Sequence, residues 1–123
     1  MHPQSALRSK LRRTGAGLLL AACAALAHAE PVQRPATITI IHPMAVQRTH
    51  CPTCSGITRI YVNPEAWGGT NCRADAGDLF LEDFHILATL LFAKKNGLPV
   101  TLEVNSAVKP IDEVCKITAA FIG

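Results

Sequence analysis

The chain of 123 residues contains no apolar run approaching the roughly 20 residues that a membrane-spanning helix needs, which argues against a helical span. Past residue 13 it has no cluster of Lys or Arg beyond the pair Lys94-Lys95, which removes the electrostatic footprint of a nucleic-acid or membrane-surface binder. It has no internal repeat and no low-complexity tract. It has no second Cys-x-x-Cys and no spaced His pair, so no zinc pattern is complete. His85 has no Ser or Cys at a recognisable nucleophile spacing, and the neighbouring acids Glu82-Asp83 and Asp112-Glu113 are adjacent in sequence rather than set apart as an acid/base pair. Aromatics are few, with one Trp and one Tyr. Nothing here specifies a reaction or a cofactor, and the expectation is a protein that is not an enzyme.

What is present begins with an export signal. Arg8, Lys10, Arg12 and Arg13 form a basic region, Gly15 to Leu26 a short apolar run, and Ala27-His28-Ala29 a small-x-small cleavage site before Glu30. The expectation is a signal peptide over residues 1–29 and a single exported domain over residues 30–123, periplasmic or secreted, soluble or tethered only at its end. The competing reading is that Leu20-Ala21-Ala22-Cys23 is a lipobox and Cys23 a lipidated terminus. Arg12-Arg13 also resembles a twin-arginine signal, in surroundings that match it poorly. Cleavage after Ala29 takes four of the twelve basic residues and none of the nine acidic ones, so the net charge passes from +3 to −1.

Of five cysteines, Cys51, Cys54, Cys72 and Cys115 lie beyond the leader, an even number in an exported chain, and disulfides are the default. Three connectivities are open. A bridge from Cys72 or Cys54 to Cys115 would close a loop of roughly 40 to 60 residues, worth on the order of 4 kcal/mol in the chain-entropy picture, to a domain small enough to need it.

The clearest local pattern spans Gly77 to Val104. Asp78 is expected to cap a helix whose first turn carries Glu82 and Asp83 and whose last carries Lys94 and Lys95, with Gly97 as the left-handed stop. Phe80, Phe84, Leu87 and Leu91, widened by Leu81, Ala88 and Leu90, form the expected buried face, with Glu82, His85 and Thr89 as the polar line. Leu98 to Val104 then alternates as a half-buried strand, with Pro99 at its start. Before the helix, 30–35 reads as a loose leader, 36–42 as a strand with Ile38, Ile40 and His42 on one face, 44–49 as a weak strand, and 50–56 as a turn. Residues 57–63 read as a strand with Arg59 and Tyr61 outward, and 64–77 as irregular. After it, 105–110 reads as a loop and 114–122 as a strand with Cys115, Ile117, Ala119 and Phe121 on one face. The order β-β-β-α-β-β is that of an OB-like, five-stranded, partly open barrel, mainly β with one helix. The alternative is a small α+β sheet with the helix across it.

The run from Asp83 to Val100, with Lys94-Lys95-Asn96-Gly97-Leu98-Pro99-Val100 at its end, followed by Cys115-Lys116-Ile117-Thr118-Ala119-Ala120-Phe121, resembles the B subunits of pertussis-like and subtilase-type bacterial toxins and their small exported relatives. The resemblance covers about half of the mature chain and is carried by structural residues. It implies an OB-fold and, by analogy, homo-oligomers that bind glycans; no glycan-contact residue carries over, and Cys51-Pro52-Thr53-Cys54 lies outside the pattern.

Two candidate sites follow from the residues. Trp67 in a Gly-rich loop with Asn63, Glu65 and Asn71, beside Tyr61, is the composition of a sugar- or protein-binding loop; the plainer reading is that Trp67 belongs to the core. Cys51-Pro52-Thr53-Cys54 has redox spacing but no strand-turn-helix around it, and with His50, and His42 or Cys72 as a fourth ligand, it is half of a zinc or copper site. The expected function is an exported glycan- or protein-binding module. The alternatives are a redox or metal-handling protein centred on Cys51 and Cys54, or a stapled structural or inhibitor protein.

Overall fold

A computed structural model describes residues 31–123; the expected signal peptide and cleavage site and the alternative lipidation at Cys23 lie outside the described residues. The chain runs through β1 (Pro31–Ala36), β2 (Ile38–Pro43), a 3₁₀ turn (Pro52–Cys54), β3 (Thr58–Val62), β4 (Ala76–Leu79), a second 3₁₀ turn (Leu81–Asp83), α1 (Phe84–Lys95), β5 (Val100–Asn105) and β6 (Cys115–Ile122). It is mainly β with one helix. The strands form one mixed sheet of six in the order β1-β5-β6-β4-β3-β2, one more than the five expected.

The sheet consists of two antiparallel halves, β1-β5-β6 and β4-β3-β2, joined by a parallel contact of two register pairs, Gly77↔Cys115 and Asp78↔Lys116. Gly77 has to be glycine here: a Cβ would lie 2.7 Å from Ile117 and 3.5 Å from Trp67. Only Thr37 separates β1 from β2, yet they stand at opposite ends of the order. The break is pinned by Asn63, whose Oδ1 accepts from the Thr37 N–H at 2.8 Å and whose own N–H donates to the Thr37 carbonyl at 3.0 Å. Pro31, Pro35 and Pro43 fall on these end strands, where a missing donor is tolerated.

The interior holds Ile60, Trp67, Leu79, Leu90, Leu102, Val104, Val114 and Ile117, all fully buried. Cys72–Cys115 crosses a separation of 43 residues and ties the loop before β4 to the first residue of β6. Cys51–Cys54 closes only a separation of three. In the chain-entropy picture the long bridge is worth about 4 kcal/mol and the short one about 2.

Several expectations are corrected. Residues 31–36 are a strand rather than a loose leader, because β5 offers them a full antiparallel ladder. Residues 44–49 are not a strand; Met44 N–H and the Ala45 carbonyl bond back to Ile57 and Gly56, closing a loop instead. The helix starts at Phe84, six residues after the expected cap, because Asp78 is drawn into β4 opposite Arg59. Asp83 does the local work: its carboxylate accepts from the Phe80 N–H at 2.9 Å. The far end of the helix is as expected, with Gly97 at φ +63°, Leu98 N–H bonded to the Ala93 carbonyl and Gly97 N–H to that of Lys94.

Two bulges overturn two face assignments. The register of β2 slips between Ile38 and Ile40, so Ile41 rather than Ile40 packs on the core and Ile40 is exposed. That of β6 slips at Thr118, so Ala120 turns inward and Phe121 outward. Strand side chains alternate with period two, and one extra residue reverses every face beyond it.

Replacing Gly77 with Ala is expected to lower stability by about 1–3 kcal/mol in urea unfolding, because Ile117 and Trp67 cannot both retreat. Replacing Cys72 and Cys115 together with Ala is expected to cost about 4 kcal/mol by the same measurement, and the equivalent change at Cys51 and Cys54 about half that.

Candidate functional site

The helix packs against β2 and β6 through Ile86, Leu90 and Ala93. This is only part of the face that periodicity selected: Leu87 and Leu90 meet the core as expected, whereas Phe84 and Leu91, also expected to be buried, point to solvent. Phe84 is 73% exposed, Leu91 50% and Phe92 58%, and Leu81 on the preceding turn is 59% exposed. With Ala88 these positions form a stripe at helical spacing, so α1 is apolar on both its buried and its solvent side. Glu82 stands at one end of the stripe and Lys94 and Lys95 at the other. A single exposed Leu is ordinary; four large apolar side chains exposed along one turn-and-helix segment are not.

The loop after β3 does not provide an aromatic platform. Trp67 is 0% exposed, so its ring has no face for a sugar, and its Nε1–H is buried with no hydrogen-bond partner. Asn63 is committed to Thr37. Tyr61 is half-buried with the Arg73 guanidinium 5.8 Å from its ring centre, and Arg73 is itself bonded to Asp75 at 2.7 Å. Glu65 and Asn71 are exposed. The five residues thus divide into one core member, one structural pin, one cation-stacked ring and two surface polar groups.

Cys51 and Cys54 are bonded to each other across the 3₁₀ turn. That turn is three residues long and supplies no helix dipole. Sulfur in a disulfide offers no thiolate, and among the described residues no group of three or more His, Cys, Asp or Glu is gathered closely enough to hold a metal ion, so His50 and His42 gain no co-ligands. Cys72, the other proposed fourth ligand, is bonded to Cys115.

The charged centre of the fold is one that the sequence pattern missed. Arg59, expected to face solvent, is buried; its Nε and Nη2 donate to the two oxygens of Asp78 at 2.9 and 3.0 Å. A strap formed by residues 106–114 covers it. Arg59 reaches this strap at the Asp112 carboxylate (3.5 Å) and the Ile111 carbonyl (3.4 Å). The strap turns at Asp112 and Glu113, consecutive non-glycine residues at φ 58° and 61°. Hydrogen bonds to the Asp78 carboxylate hold the Arg59 guanidinium charged, well above its ordinary range; burial pushes the Asp78 carboxyl up against the pull of Arg59. On the outer side of β1, β5 and β6, Glu103 accepts from Gln33 at 2.7 Å and Thr118 at 2.8 Å, which hold its carboxyl below the usual range. His85 lines a cavity of about 240 Å³ with Thr89 and Thr118. Alternation put Arg59 on the opposite side of β3 from Ile60, but nothing local announced that a loop more than 45 residues later would cover it.

Arg59 and Asp78 form a closed pair, so Asp78→Ala is expected to cost about 3–5 kcal/mol, while Arg59→Met with Asp78→Leu recovers most of the loss in a double-mutant cycle. Glu113→Gly, which relieves a left-handed Glu, is expected to raise stability by about 1 kcal/mol in the same unfolding assay. Comparison of the chain with protein-family models, with curated proteins and with solved structures finds no match.

Proposed function

We propose that this protein is an exported, disulfide-stapled binding module with an OB-like barrel, which assembles with copies of itself through the outer face of α1 and presents its remaining surface to a protein partner. The observation that carries this reading is the exposed stripe of Leu81, Phe84, Leu91 and Phe92. The stripe is self-complementary. When two such helices lie antiparallel, Glu82 of one meets Lys94 and Lys95 of a second copy, and the helix dipoles oppose. Burying such side chains on both copies gains on the order of 10 kcal/mol, comparable with the roughly 4–15 kcal/mol that association costs, so the assembly is concentration-dependent rather than permanent.

The barrel reading is supported by the single residue between β1 and β2. Taken as one strand bent at Thr37, Pro31–Pro43 stands at both ends of the sheet, and the count becomes five with the helix between the third and fourth. This is the strand count and helix position of an OB-fold, the fold that the resemblance of Asp83–Val100 and Cys115–Phe121 to toxin B subunits implies. A protein partner is favoured over a glycan because the expected platform, Trp67, has no free face. Exposed polar groups left on that loop include Glu65 and Asn71, and Tyr61 on β3 is half-buried.

Light scattering coupled to size exclusion over a concentration series tests the assembly. The wild-type chain is expected to shift from monomer to oligomer with rising concentration, and Phe84→Glu with Leu91→Glu to remain monomeric with an unchanged circular dichroism spectrum. A wild-type chain that stays monomeric throughout, or a double variant that assembles normally, overturns the proposal.

A further inference from the structure

The Cys51–Cys54 bridge is the feature this reading leaves unused, and several observations set it apart from Cys72–Cys115. It closes a separation of three residues against 43, so it constrains the chain far less. Its turn is held without it. Cys54 N–H donates to the Cys51 carbonyl at 3.0 Å, Ser55 N–H to Pro52, Ile57 N–H to Cys54, and Gly56 N–H to Ala45 at 2.9 Å; Ser55 Oγ accepts from the Arg48 N–H at 3.0 Å. The backbone that keeps the two Cα atoms 5.3 Å apart therefore persists when the sulfurs part. The two sulfurs are also unequal. Cys51 is half-buried, whereas Cys54 is 6% exposed; Cys72 and Cys115 are both buried. An incoming group can reach Cys51 and not Cys54.

The surroundings add a place for a substrate. A surface groove of about 410 Å³ adjoins the turn that carries the bridge, lined by Val46, Gln47, Arg48, Thr49, Pro52 and Ser55. Val46 is exposed and apolar, and Arg48 brings a positive charge. Pro52 lies between the two cysteines and Ser55 directly follows Cys54, so a polypeptide segment seated in the groove lies against the turn that carries the bridge. Thr53 Oγ1 stands 3.6 Å from Cys51 Sγ, close enough for its hydroxyl to donate to a thiolate formed there.

We propose that Cys51–Cys54 is an exchangeable disulfide that oxidises a dithiol carried on an extended polypeptide segment bound in this groove. A thiolate of the substrate attacks Cys51 Sγ. The bond between Cys51 and Cys54 breaks, and Cys54 leaves with the electron pair and takes a proton from water. The second substrate thiol gives its proton to solvent and attacks the substrate sulfur of the mixed disulfide, releasing Cys51 as a thiolate that is then protonated. The substrate dithiol loses two electrons and becomes a disulfide; the Cys51/Cys54 pair gains them and becomes a dithiol. In this direction the bridge is the electrophile, so it requires access to one sulfur rather than the helix dipole that activates a nucleophilic cysteine. The short 3₁₀ turn is therefore no obstacle.

The test uses the full chain and three readouts. In graded dithiothreitol with alkylation and peptide mass spectrometry, Cys51 and Cys54 are expected to be modified at a concentration at least about tenfold lower than Cys72 and Cys115, with the circular dichroism spectrum unchanged. One equivalent of oxidised protein is expected to convert a synthetic dithiol peptide to its disulfide while thiols appear at Cys51 and Cys54. Given the disulfide form of that peptide, Cys54→Ser is expected to trap a mixed disulfide at Cys51, whereas Cys51→Ser traps none. Both bridges opening together, a peptide left unoxidised, or equal trapping by the two variants overturns the proposal. The first two readouts need no substitution, so a variant that does not fold leaves the outcome decided.

Discussion

Two short register pairs hold the two halves of the sheet together. Between β4 and β6 only Gly77↔Cys115 and Asp78↔Lys116 are aligned, and a parallel ladder that short contributes little by itself. Three devices converge on the joint. The missing side chain of Gly77 lets Ile117 and Trp67 close over it. Cys115 is bonded to Cys72, so the strand that enters the joint is tethered to the loop that precedes its neighbour. Asp78 takes the buried Arg59, which in turn reaches the strap leading into β6. Lys116, beside Asp78, reaches Asp83 at 3.2 Å and stands 5.0 Å from the centre of the Phe80 ring, carrying the joint on to the start of the helix.

That joint also decides what the helix can do. Asp78 serves the ion pair, so the helix begins later, and its core contacts pass to Ile86, Leu90 and Ala93. Phe84, Leu91 and Phe92, with Leu81 before them, are left facing water. A segment apolar on nearly every side is normally buried on every side; here, among the described residues, one flank is left without an intramolecular partner. This arises from composition and placement together, since the same residues on a helix buried between two layers would leave no such flank.

The two disulfides divide their duties along the same line. Cys72–Cys115 acts on the whole fold by shortening a long loop of the unfolded chain at the point where the native sheet is weakest. Cys51–Cys54 lies on a loop that bonds to itself and touches the joint nowhere through its sulfurs. Loops held by a rigid scaffold are where proteins place reactive groups, because change there is not transmitted to the core.

Much of this fold was legible in the residues themselves. The end of the helix at Lys94 to Gly97, the alternating β5, the start of a strand after Pro99 and the presence of bridged cysteines follow from local geometry or from the even number of cysteines beyond residue 30. The bulges at Ile38–Ile40 and at Thr118 were not legible, since a slip of register is chosen by the partner strand and leaves the propensity of the bulged residue unchanged. Nor was the role of Asp78: an acid before an apolar helical run is a cap by default, and only a buried arginine 19 residues earlier in the chain gives it a stronger partner. Trp67 could be read as platform or as core; its neighbours in sequence are polar and glycine-rich, while its neighbours in space, Gly77 among them, come from elsewhere in the chain. The sequence by itself determined where the chain turns and which cysteines could pair. Only the tertiary structure decided which face of each element meets the core, because burial is a property of the partner as much as of the residue.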